Sequence, residues 1–103
     1  MMKRLLLVLA CSLAAVFAGC SKKTKEIPKS VRAEATNLAS EGQFAMSIRE
    51  YSRAQELFEK ATKLHEDMPE YWVALGMARR KQDNKDGARK AYKEALSLFK
   101  ARY

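Results

Sequence analysis

From about residue 33 to its end the chain spaces its apolar side chains at helical intervals, with no strand-like alternation. Ala54, Leu57, Phe58, Ala61 and Leu64 stand at i, i+3, i+4, i+7 and i+10, a spacing that gathers them on one helical face. Ala88, Ala91, Tyr92, Ala95 and Leu98 repeat that stripe 34 residues later. The pattern predicts four helices, over residues 33–48, 52–66, 69–81 and 85–102. Pro69 suits the first turn of the third helix, where a missing N–H leaves no bond unmade. Asp83-Asn84 supplies the turn before the fourth. Upstream the pattern changes twice. Residues 5–17 carry no charge, and residues 20–32 are polar and basic around Pro28. The chain therefore divides into residues 1–19, residues 20–32 and a helical domain over 33–103.

A shift of 34 residues brings Gly42 onto Gly76, Ala54 onto Ala88, Phe58 onto Tyr92, Ala61 onto Ala95 and Leu64 onto Leu98, with Leu38 falling on Trp72. Helix–turn–helix units that stack side by side repeat at this period. Small residues let facing helices approach closely, and an aromatic ring fills the space they leave. In Trp72, Leu75, Gly76, Ala88, Tyr92 and Ala95 the second copy resembles the tetratricopeptide repeat family. The first copy carries Gly42, Ala54, Phe58 and Ala61 of the same pattern, with Glu41 where the family has Leu. The resemblance implies an all-α fold, a short α-solenoid of two repeats at about residues 35–68 and 69–102. It also implies a concave surface that binds a peptide or helical segment of a protein partner, lined by the first helix of each pair. On this chain that surface takes Gln43 and Met46 from one helix and Val73, Met77, Arg80 and Lys81 from the other. Met and Val give adaptable apolar contact, and Arg80 with Lys81 could hold a carboxylate. Met46 and Met77 serve equally well as ordinary packing between helices.

Residues 1–19 have the three-part layout of a bacterial export signal: Lys3 and Arg4, the uncharged stretch 5–17, then the small residues Ala18 and Gly19. The uncharged stretch is shorter than the ~20 residues that a spanning helix needs. Phe17-Ala18-Gly19-Cys20 resembles the lipobox of bacterial lipoproteins, with Phe17 in place of the usual aliphatic residue. The resemblance implies cleavage before Cys20 and attachment there of acyl chains such as palmitate. Two or three chains anchor durably where one binds only marginally. Ser21, rather than Asp, after Cys20 further implies the periplasmic face of an outer membrane in an organism that has one. Cys11 leaves with the signal. Residues 20–32 then read as a flexible tether, either drawn to anionic headgroups and cell-wall polymer or serving as a plain spacer.

With 103 residues the chain has room for one small domain and none for a multidomain enzyme. One His and two Cys argue against a zinc site. Four Gly make no phosphate-cradling loop, and no Ser has a His partner for hydrolysis. No catalytic residue, metal or cofactor is expected. His65 stands alone near a helix end, and Glu66, Asp67 and Glu70 form a corner that reads as solvated rather than calcium-binding. Charge is more telling. Residues 33–70 hold four basic side chains against eight acidic, and residues 79–102 hold nine against three. Such opposed ends suit an acidic partner at the C-terminal end, head-to-tail self-contact, or two solvated faces. Nucleic acid is a poor partner, because residues 33–102 are only +2 although the whole chain is +8.

These readings meet in a non-enzymatic, lipid-anchored protein of the bacterial cell envelope whose repeats bind another protein, as an adaptor or assembly factor. The alternatives are a self-associating structural subunit and an accessory protein that holds anionic cell-wall polymer. Leu98, Phe99 and Tyr103 have no following helix to cover them. A partner or a second copy is therefore expected on that end, with Lys100 and Arg102 steering an acidic surface onto it.

Overall fold

Four helices follow one another from Lys29 onward: α1 (Lys29–Ser47), α2 (Tyr51–Leu64), α3 (Pro69–Lys81) and α4 (Lys85–Arg102). They are seen in a computed structural model that describes residues 26–103. Residues 1–19, read as an export signal, Cys20, Ser21 and the expected tether up to residue 25 lie outside the described residues. Among the described residues there is no strand, and no helix is long and apolar enough to cross a membrane. The expected limits of α3 and α4 hold, and those of α2 move by one or two residues. Helix α1 departs further. It begins at Lys29, four residues ahead of the expected start, so the non-helical tether ends at Pro28 rather than Arg32. Pro28 takes the N-cap position at φ −56° and ψ 148°, and its carbonyl accepts the Arg32 N–H at 3.0 Å. Val31 in that extra turn is half-buried.

Both helix pairs close on the same turn. Arg49 and Asp83, one repeat apart, adopt left-handed φ values of 64° and 62°. The Glu50 N–H reaches back to the Ala45 carbonyl at 2.8 Å and the Asn84 N–H to the Arg79 carbonyl at 3.0 Å. The Arg49 and Asp83 N–H groups bond to the Met46 and Arg80 carbonyls at 3.1 and 3.0 Å. This is a Schellman closure, which satisfies the last carbonyls of a helix and normally places Gly at the left-handed residue. Here neither position is Gly. Asn84 then caps α4, its Oδ1 accepting the Gly87 N–H at 3.0 Å, a side-chain cap that α1, α2 and α3 lack.

Helix α1 packs on α2, α2 on α3 and α3 on α4, while α1 meets α3 only along an edge. Within each pair a glycine sits under an aromatic ring, Gly42 under Phe58 and Gly76 under Tyr92. One apolar cluster runs through Ala45, Ala54, Leu57, Phe58, Ala74, Leu75, Ala78 and Ala91, with Leu38, Ala39, Met46 and Trp72 against its edge. Its many alanines bring the backbones close, and Phe58 and Leu75, among the largest fully buried side chains, contribute about 1.5–3 kcal/mol each. Polar ties reinforce the repeat junction. Trp72 Nε1 donates to the Glu66 carbonyl at 2.9 Å, and the Gln82 amide donates to Gln55 Oε1 at 2.6 Å and to the Tyr51 carbonyl at 3.3 Å. Pro69 is buried at the start of α3, as its place in the sequence suggests.

Candidate functional site

The six residues expected on a concave surface do not share one environment. Gln43 and Met77 occupy equivalent positions of α1 and α3, one repeat apart, and both are exposed, as is Lys81. Val73 is half-buried. Met46 packs against the apolar cluster, so it serves the core. Arg80, its counterpart one repeat on, turns instead to an open groove lined also by Asp83, Lys85, Ala88, Arg89 and Tyr92. The groove holds about 380 Å³.

The internal repeat explains why that groove exists. In the first pair, the corresponding positions are Met46, Arg49, Tyr51, Ala54, Gln55 and Phe58, and Gln55 and the Tyr51 carbonyl receive the end of α3 through Gln82. Among the described residues α4 packs against α3 alone, so the matching slot beside α4 has no helix in it. Thr62, buried on α2, has Leu96 as its counterpart, and Leu96 is 53 % exposed. Leu98 and Phe99, expected to lie uncovered, are half-buried, whereas Tyr103 is exposed. The uncovered apolar surface of α4 therefore lies at Leu96 on its flank as well as at Tyr103 at its end. Arg102 does not stand free either: its guanidinium pairs with Glu70 at 3.3 Å, which ties the end of α4 to the start of α3.

The complementary face opens on α1. Ala74, Leu75 and Ala78 of α3 are buried, and their counterparts on α1 are Ser40, Glu41 and Phe44. All three are exposed, Phe44 at 62 %, and Ile48, the counterpart of Gln82, at 47 %. The last two are large apolar side chains standing in water at positions where α3 meets α2. Sequence periodicity misses this face, because the apolar stripe of α1 runs elsewhere. Comparing the two copies position by position finds it.

The acidic corner is structural in its visible contacts. The Glu66 carbonyl holds Trp72, Glu70 holds Arg102, and His65 meets the Tyr71 ring edge-on at 6.1 Å between centroids. Among the described residues no group of three or more His, Cys, Asp or Glu is placed to hold a metal ion.

The sequence model of the tetratricopeptide repeat family matches residues 69–101, which are α3 and all but the last residue of α4. The match covers about a third of the chain. The α1–α2 pair lies outside it yet repeats its turn and its glycine–aromatic contact. The fold is all-α, built of helix pairs of this type, and such repeats bind protein partners in general. No curated protein matches the chain.

Proposed function

We propose that the protein is a lipid-anchored adaptor of a bacterial envelope, without chemistry of its own, that joins proteins through its helical repeats. The observation that carries this reading is the open slot beside α4, with Ala88 and Tyr92 in its floor, Leu96 beside it and Arg80, Lys85 and Arg89 on its rim. Apolar surface bordered by charge is the usual signature of a protein-binding face. The repeat match at residues 69–101 supports protein binding in general. The anchor rests on the lipobox-like Phe17-Ala18-Gly19-Cys20, and the outer-membrane assignment on Ser21. Gln43, Met77 and Lys81 remain available on the first helices for a peptide or helical segment.

Two experiments test the two halves of the reading. Fatty-acid labelling should mark the wild-type chain and not Cys20→Ala, which should also remain unprocessed; a labelled Cys20→Ala chain refutes the anchor. A photo-crosslinking residue placed at Met77 should yield an adduct with a different protein in intact cells. Absence of such an adduct both there and at Leu96 overturns the adaptor reading. Self-association is a second reading, favoured by the exposure of Leu96 on α4 together with that of Phe44 and Ile48 on α1.

A further inference from the structure

We infer that copies of this chain join head to tail, with Glu41, Phe44 and Ile48 on α1 of one copy seated in the slot formed by Arg80, Arg89, Tyr92 and Leu96 beside α4 of the next. The inference rests on the self-association reading and specifies its surface. Each molecule already makes this kind of contact once, where α3 lies on α2. The two faces of that internal contact recur 34 residues away as the free faces of α4 and α1. A second copy can therefore repeat outside the molecule what the chain does within it.

The side chains at the two faces suit each other. Phe44 stands in the place of Ala78, and the slot it would enter is an empty groove of about 380 Å³, with room for a ring where the internal contact accommodates a methyl. Arg80 replaces Met46 in the groove wall, and a guanidinium beside an aromatic face is an attractive pairing. Leu96 replaces the buried Thr62 and offers apolar surface to the incoming helix. Glu41 replaces Leu75, and the antiparallel register in which Gln82 meets Gln55 brings its carboxylate toward the exposed Lys93. Ile48 replaces Gln82 and would lie along the aliphatic stem of Arg89, which stands where Gln55 does. The chain's own N-terminal segment is a worse occupant, because Lys22, Lys23 and Lys25 would meet a rim of like charge. Since the two faces differ, the contact is heterologous, and repeated it builds an open row rather than a closed dimer.

Light scattering on the full chain in non-ionic detergent, over a range of concentrations, tests this with two variants, Phe44→Glu and Leu96→Glu. Both positions are exposed, so circular dichroism should show helix content and melting unchanged. The wild-type mass should climb with concentration past two copies, and each variant alone should stay at one. Mixed in equal amounts the two variants should form pairs and stop there, because one supplies an intact α4 slot and the other an intact α1 face. A wild-type chain that stays single, a closed dimer that survives Phe44→Glu, or a mixture that remains single each overturns the head-to-tail contact. Glu41→Lys and Lys93→Glu test the charge contact separately. Each should weaken assembly, and the two combined in one chain should restore it; failure to restore it overturns the assigned register. A wild-type chain that stays single while the Met77 crosslink persists refutes this contact and leaves the adaptor reading standing. Absence of adducts with a different protein at both Met77 and Leu96, with assembly intact, does the reverse.

Discussion

Gly42 and Gly76 make the same close approach, yet alanine should be costly at one and nearly neutral at the other. A Cβ added at Gly42 would lie 2.6 Å from Phe58 Cε1 and 2.9 Å from Cδ1, whereas carbon atoms rest at about 3.5–4.0 Å. The ring would have to retreat by about 1 Å, and Phe58 is fully buried with no open space beside it. Overpacking of that kind costs about 1–3 kcal/mol. Alanine returns about 1 kcal/mol through its better helix propensity, so Gly42→Ala should lose up to about 2 kcal/mol. At Gly76 the clashing ring is Tyr92, which is half-buried and lines the open groove. That ring can swing outward, and the propensity gain then offsets the cost of a strained side-chain torsion, about 0.5–1.5 kcal/mol. For a domain of this size 1 kcal/mol moves the melting temperature by about 4–8 °C. Thermal melts at low protein concentration should therefore show Gly42→Ala lower by up to roughly 15 °C, and Gly76→Ala within a few degrees of wild type. Equal losses at both sites would refute the role given to the groove as an escape for the ring. A gain of stability at Gly42 would refute close approach as the reason for glycine there. Where the slot is filled by a neighbouring copy the escape closes, so Gly76→Ala should become costly as concentration rises.

Two further outcomes concern the turns. Arg49→Gly and Asp83→Gly should each raise the melting temperature, by up to about 1 kcal/mol of stability, because both residues hold a left-handed conformation that a side chain disfavours. Arg49→Gly should gain more, since Asp tolerates that conformation better than Arg; unchanged melts would mean that the turn carries no such cost. Asn84→Ala should lose about 1 kcal/mol by removing the cap on α4. Glu50→Ala, at the N-cap of α2 with no side-chain cap bond and only an exposed pairing to Arg53, should lose less than about 1 kcal/mol. Urea unfolding of the two variants side by side decides it, and a larger loss for Glu50→Ala would overturn the capping assignment.

The helices and their period are legible in the sequence because alanine, leucine and one aromatic recur on a single face of α2 and again on α4. The start of α1 is not, since Lys29, Ser30 and Arg32 carry no apolar rhythm and Pro28, which launches the helix, reads at first as a breaker. The open faces escape a hydropathy reading for a different reason. Thr62 is polar and buried while Leu96 is apolar and exposed, and Ala78 is small and buried while Phe44 is large and exposed. At these positions hydropathy and burial run opposite ways in the two copies, because among the described residues α2 has α3 beside it whereas neither α4 nor the outer face of α1 has a further helix. Arg80 shows the same lesson. Family analogy sends it to the concave surface, yet its counterpart Met46 faces the core, and that correspondence already points Arg80 toward the slot.

Anchoring and head-to-tail contact would reinforce each other. Between Cys20 and the first helical residue, Lys29, lie residues 21–28, a span of at most about 28 Å when fully extended. An acyl chain on Cys20 would therefore hold the repeats within a few nanometres of the bilayer. Confining copies to that layer raises the concentration at which they meet, so a contact too weak to persist in dilute solution still forms there. The tether would not obstruct it. Phe44 stands fifteen residues beyond the start of α1, about 22 Å along the helix axis at 1.5 Å per residue. Residues 21–103 exported behind an ordinary cleavable signal, without Cys20, should then form no rows of copies in cells, while the same chain purified should form them at high concentration. Crosslinking between Phe44 of one copy and Tyr92 of the next reads both conditions. Rows that persist in cells without the anchor would show that the contact is strong enough alone, and would refute its dependence on the membrane.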